Sequence, residues 1–284
     1  MQIKCSKFKR ILDPSIRDFQ RIYSKIFYIN DHTLIHKDGQ WHVIGITHEE
    51  PAAPLEEKSF LHAVGKKIRG QFSRLADNFY YSPKDKETHI WAPYIVEKDG
   101  TYFMYYCAGS CYGHDKYRIH LATSVDLFHW ERSRYNPMVI DGYDARDPMV
   151  IQAGDKWLMY YTCTEFPQGG RHCVACVESN DLYHWGKRRF VFMDEREGTI
   201  AGPCESPYVL QYKDSYLLFI GLRNSYSDTH IYASKDPLNF KKENWVGNIK
   251  AHACEIVREG QKLYITHCGW GQGGLYVAEL KIFD

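Results

Sequence analysis

The chain has 284 residues, with 36 Lys and Arg against 35 Asp and Glu and a formal net charge of +1. That balance provides no bulk attraction to nucleic acid or to an anionic membrane surface, and neither is expected as a partner. The length allows one large domain with a sizeable core, and the whole of 1–284 is read as one domain.

The opening segment, MQIKCSKFKRIL, lacks the apolar stretch and small-residue cleavage site of a secretory signal. No apolar run reaches the length of a membrane span. Nine cysteines, an odd number scattered through strands, read as reduced thiols rather than a disulfide framework. A cytoplasmic protein is expected, and a removed leader would be invisible in this chain. Cys173 and Cys176, or Cys107 with Cys111 and His114, lack the second pair that a tetrahedral zinc site requires, so no metal site is expected there.

In chain order, residues 1–12 form a strand without an obvious partner, and 13–24 (DPSIRDFQRIYS) suggest a short helix. A first unit then begins, NDHTLIHKDGQW, followed by a loop over 50–59 and a third strand around Ala63 in FLHAVG. The second unit is WAPYIVEKDGTY, with Ala122 in its third strand and Trp130 after the next turn. The third is RDPMVIQAGDKW, with Ala175 and Trp185 in those places. The fourth, ESPYVLQYKDSY, carries Ala233 and Phe240, and the fifth, HACEIVREGQKLY, carries Ala278 and then ends. Each unit alternates in the manner of strands and turns at a short polar hairpin.

The aromatics Trp41, Tyr102, Trp157, Tyr216 and Tyr264 open the second strand of successive units, 48 to 61 residues apart. That period predicts an all-β, five-bladed β-propeller of four-stranded antiparallel blades. The fifth unit lacks an outer strand, so residues 1–12 are expected to pair beside residues 275–283 and close the ring, removing an exposed edge.

Ten residues before the five aromatics stand Asp31, Ala92, Asp147, Ser206 and Cys254, with Glu205 one place earlier than Ser206. The innermost strands of a propeller line its axis, so Asp31, Asp147 and Glu205 should face one mouth. Glycoside cleavage needs such a set: an acid for the leaving oxygen and a carboxylate that activates water or attacks the sugar. Crowded like charges raise one pKa toward neutrality, which selects the acid.

NDHTLI at Asp31, ARDPMV at Asp147, CESPYVL at Glu205 and the acid-free WAPYIVEKDGTYFMYY resemble the five-bladed glycoside hydrolases of family 43 and their relatives in families 32 and 68. The resemblance covers essentially the whole chain. It implies an inverting arabinofuranosidase- or xylosidase-like enzyme, with Asp31 as base, Asp147 as orienting and pKa-tuning carboxylate and Glu205 as acid. It also implies a functional His252 on the axis, near a water or a structural cation, and no required cofactor.

ARDP, with Arg146, and Asn30-Asp31 are similar to family 32, in which the first Asp is the nucleophile of a retaining, fructoside-cleaving reaction. ESP is closer to family 43. A non-catalytic carbohydrate-binding propeller and transfer of the sugar to phosphate or another sugar are the other readings. Arg146, whose planar fork suits sugar hydroxyls, Trp91 as a stacking platform, and Asn30 and His32 beside Asp31 complete the candidate substrate-binding set. Glu255 and His267 are read as structural. Loops at 107–117, 164–172 and 221–229 are expected to shape the pocket, and a monomer or weak oligomer is expected.

Overall fold

A computed structural model describes residues 1–16, 25–111, 116–199, 202–222 and 228–283. These residues form five antiparallel sheets arranged as the blades of a propeller. The inner strands are Phe27–Lys37, Ile90–Lys98, Arg146–Ala153, Glu205–Tyr212 and Ile256–Glu259. Outward from each lie the hairpin partner, the alanine-bearing third strand and an outer strand. The third-strand residues Ala63, Ala122, Ala175 and Ala278 are fully buried, where a small side chain lets a neighbouring blade approach.

The N-terminal strands Gln2–Cys5 and Lys9–Leu12 both pair with Leu275–Phe283 and complete the fifth blade. Ile11 and Leu12 are buried beside Val43, Ala63 and Val277, between the fifth and first blades. The core as a whole occupies such spaces between sheets, as in the packing of Phe60, Phe79 and Tyr106. The helix expected over 13–24 falls largely on residues outside the described set. Asp13–Ile16 are not helical, and Ile16 bridges to Lys25.

One irregularity repeats at the start of the inner strands. The ladder slips between Ile29 and His32, Trp91 and Tyr94, Arg146 and Met149, and Glu205 and Tyr208. A bulge of this kind re-aims side chains and strands an N–H, and in three blades the stranded position is a proline, Pro93, Pro148 or Pro207, which has no N–H to lose. Ala92, Asp147 and Ser206 take left-handed backbone conformations there, with φ of 46°, 55° and 47°. For residues with a side chain this costs on the order of 1–3 kcal/mol, and it persists where the surrounding fold enforces it.

The fifth blade corrects the sequence alignment by one position. Its hairpin pairs Glu259 with Lys262, as Ala153 pairs with Lys156 and Tyr212 with Ser215. The residue equivalent to Trp157 is therefore Leu263, not Tyr264. Its partner ten places back is Ala253, not Cys254, and Ala253 shares the left-handed φ, 46°. An aromatic was the wrong anchor in that blade because both Leu263 and Tyr264 are buried and either can fill the space.

Candidate active site

With that register, two rings of equivalent positions surround the propeller axis. Asn30, Trp91, Arg146, Glu205 and His252 form one ring, and Asp31, Ala92, Asp147, Ser206 and Ala253 follow them. All of the first ring, together with Asp31, Asp147 and Ser206, line one pocket of about 130 Å³. The three predicted acids therefore do converge. Asp31 and Asp147 hold the same place in their blades, whereas Glu205 is the counterpart of Arg146.

Arg146 organises the acids. Its Nε donates to Asp144 at 2.7 Å, Nη1 to Asp147 at 2.8 Å and Nη2 to Glu205 at 3.3 Å. Burial works against its charge, but Asp144, Asp147 and Glu205 hold it protonated well above the ordinary arginine range. Ser206 links the remaining pair: its N–H donates to Asp147 Oδ2 at 2.9 Å and its hydroxyl to Asp31 Oδ1 at 2.6 Å. The left-handed turn at Ser206 is what aims both groups inward at once.

Environment separates the carboxyls. Burial pushes Glu205 up to about 7, against the pull of Arg146 and with help from Asp147 and Asp31. Burial also raises Asp31, which the Ser206 hydroxyl and Arg146 pull back down. Asp147 is raised by burial, lowered by Arg146 and raised again by Asp31. His252 is driven down to about 3, chiefly by burial, and is neutral near pH 7. Its backbone N–H donates to Nδ1 of His267 at 2.9 Å.

His32 is the exception among the predicted residues. It is buried on the axial side of the strand, with Nε2 2.8 Å from Thr266 Oγ1, and it lines a smaller cavity beneath the pocket with Glu255. Adjacency to Asp31 did not make it a pocket residue, because the bulge between Ile29 and His32 breaks the alternation of the strand just before it. Trp91 does line the pocket, its Nε1 donating to Pro54 O at 3.1 Å and its ring 5.0 Å from that of Tyr117.

Sequence reading missed Asp144, Ser206, Glu57 and Trp270. Asp144 was within sight, two places before Arg146. Ser206 stands in register with Asp31 and Asp147, one place after Glu205. Glu57 lies in the stretch 50–59 taken for a plain loop, where Pro54–Glu56 makes a short 3-10 turn. Ile90 N–H donates to Glu57 O at 3.0 Å and so pins that loop to the second blade. No local pattern announces this contact. Of the loops expected to shape the pocket, 107–117 contributes Tyr117, while 112–115 and 223–227 lie outside the described residues. No described residue of 164–172 or 221–229 lines the pocket.

The sequence profile of the glycosyl hydrolases family 32 N-terminal domain matches residues 24–235. A probable sucrose-6-phosphate hydrolase of Psychromonas ingrahamii is 26% identical over 155 residues, which span 50% of this chain and 28% of that protein. The match thus covers under a third of that relative's length. Among solved structures, a thermostable family-43 glycoside hydrolase superposes with a TM-score of 0.72 at 14% identity, over 91% of each chain. A family 43 enzyme from Xanthomonas citri, complexed with xylose, gives 0.68 at 14% identity over 90% of this chain and 86% of its own. The family 32 β-fructofuranosidase of Bombyx mori gives 0.64 at 16% identity, over 90% of this chain and 59% of that one. The likeness to both sets of structures is one of fold, and the profile match favours family 32, the family that the Glu-Ser-Pro motif had ranked second. Five bladed sheets, acids gathered at one end of the axis and a profile that spans most of the chain place this protein in the glycosyl hydrolase family 32 N-terminal domain family.

Proposed function

We propose that this protein is a glycoside hydrolase that takes one terminal sugar ring into the pocket and cleaves its glycosidic bond. The carrying observation is a trio of carboxyls, Asp31, Asp147 and Glu205, held in unlike environments around one small space. At about 130 Å³ the pocket is small, nearer the size of one ring than of a chain.

Glu205, raised to about 7, carries a proton near neutrality and gives it to the leaving oxygen. Asp31, favoured as the carboxylate by the Ser206 hydroxyl, attacks the anomeric carbon as the bond to the leaving oxygen breaks. Water then displaces Asp31, losing its proton to Glu205, and configuration is retained. Arg146 and the Ser206 N–H favour the ionised form of Asp147 against its burial, and that charge favours the protonated form of Glu205. Trp91 offers a ring face for the sugar.

Family 32 membership supports this retaining course and a fructoside as substrate. A second reading, inversion at an arabinofuranoside or xyloside with Asp31 activating water, draws on the Glu-Ser-Pro motif and the family 43 superpositions. Hydrolysis of nitrophenyl furanosides and pyranosides, with the first-formed anomer followed by NMR, separates the two. Retention at a cleaved furanoside supports the first, inversion the second, and no cleavage of any glycoside sinks both.

A further inference from the structure

The pocket is more acidic than its reaction requires. Besides Asp31, Asp147 and Glu205 it is lined by Glu57, a fourth carboxyl that the chemistry above does not use. Glu57 is held in place: Oε1 accepts from Tyr28 OH at 2.6 Å and from Trp270 Nε1 at 3.1 Å. Trp91 lines the same wall, pinned to the 3-10 turn just before Glu57. The turn is fixed to one blade and Trp270 to another, since Gly269 N–H donates to Ile29 O at 3.1 Å. A carboxyl buried to 1% exposure is an expensive way to fill a wall that glutamine or leucine would fill at less cost.

Among the described lining residues, Arg146 is the one cation, and each of its three nitrogens already serves a carboxylate. His252 is neutral near pH 7. At pH 8, above the value of about 7 to which burial raises both Glu57 and Glu205, an anionic group on the sugar would meet carboxylates on several sides. We propose that Glu57 is a specificity-determining residue that commits the pocket to uncharged sugars, accepting a ring hydroxyl and repelling a phosphate or carboxylate on the same ring. This rests on reading the pocket as a sugar site.

The test is a binding titration, independent of turnover, that reads the change in intrinsic indole fluorescence as sugar enters beside Trp91 and Trp270, two of the seven tryptophans. Fructose, glucose, xylose and arabinose are compared with fructose 6-phosphate, glucose 6-phosphate and glucuronate at pH 8. Wild type should bind at least one neutral sugar about tenfold or more tightly than any anionic one, as like charges in a closed site repel. Glu57→Gln keeps both donors' acceptor oxygen, so it should narrow that ratio about tenfold, chiefly by tightening the anions. Trp270→Phe, which removes a donor but no charge, should leave the ratio in place.

Equal or tighter binding of the phosphates by wild type would overturn the proposal while leaving the sugar site standing. So would an unchanged ratio in a Glu57→Gln protein with a wild-type melting temperature. If no sugar of either kind binds, the sugar-site reading falls and the proposal with it.

Discussion

Ser206 and Asp31 lie 175 residues apart and meet at 2.6 Å, the serine hydroxyl donating to the carboxylate. The same serine gives its backbone N–H to Asp147. Ser206→Ala removes the first bond and keeps the second, without changing the left-handed backbone. A hydrogen bond to a charged group is worth about 1.5–3 kcal/mol, so kcat/KM should fall roughly 10- to 150-fold with little change in melting temperature. Steady-state kinetics beside thermal unfolding check this, and an unaltered kcat/KM would mean that Ser206 does not tune Asp31.

Glu205→Gln keeps the size of the side chain and removes the proton it transfers. General-acid loss costs about 10²–10⁴ in rate, whereas sugar binding should survive nearly intact. A wild type inert on the whole glycoside panel, yet binding sugar as tightly as the variant, points to a non-catalytic carbohydrate-binding propeller instead.

The pH profile follows from the same residue. Glu205 acts as its protonated form, and its carboxyl is pushed up to about 7 by burial, with Arg146 opposing and Asp147 and Asp31 assisting. Activity should therefore fall as pH rises through about 7, approaching a tenfold loss per unit beyond it. The ordinary glutamate value would have placed that limb near pH 4.5. His252 stays neutral across this range and adds no second limb. Initial rates between pH 5 and 9 with an activated aryl glycoside, alongside one with a poor leaving group, check it, since only the latter needs the acid fully.

Arg146 balances Asp144 and Asp147, both buried. Arg146→Met leaves those carboxyls without their cation, and breaking a buried pair from one side costs about 3–5 kcal/mol. Urea unfolding at pH 7.5 should register that loss. Part of it should return at pH 5, because Asp144, already raised to about 6 by burial, can take a proton.

Ile11, fully buried on a strand that completes the fifth blade, tests the ring closure. Ile11→Ala should cost about 2–5 kcal/mol, as for other truncations in a packed core. A change under half a kilocalorie would show that the N-terminal strand contributes little to holding the ring shut.

Much of this protein was legible in its chain alone. Strand alternation and the recurring hairpin are local properties, so the five blades, their order and the closing N-terminal strand could be read directly. Asp31, Asp147 and Glu205 were readable because a repeat brings equivalent positions to equivalent places around an axis. What the residues could not reveal were contacts set by the curvature of the ring. Glu57 and Trp270, 213 residues apart, meet only because the fifth blade closes on the first. The side of the strand that His32 faces was likewise beyond reach, since a bulge shifts the two-residue period that would have predicted it. The one-residue offset at Ala253 has the same origin: which buried apolar residue follows a turn is decided by the ladder it joins, and hydrophobicity alone does not distinguish Leu263 from Tyr264. Local backbone preference thus determined the blades, and the packing of blade against blade determined the chemistry at their common mouth.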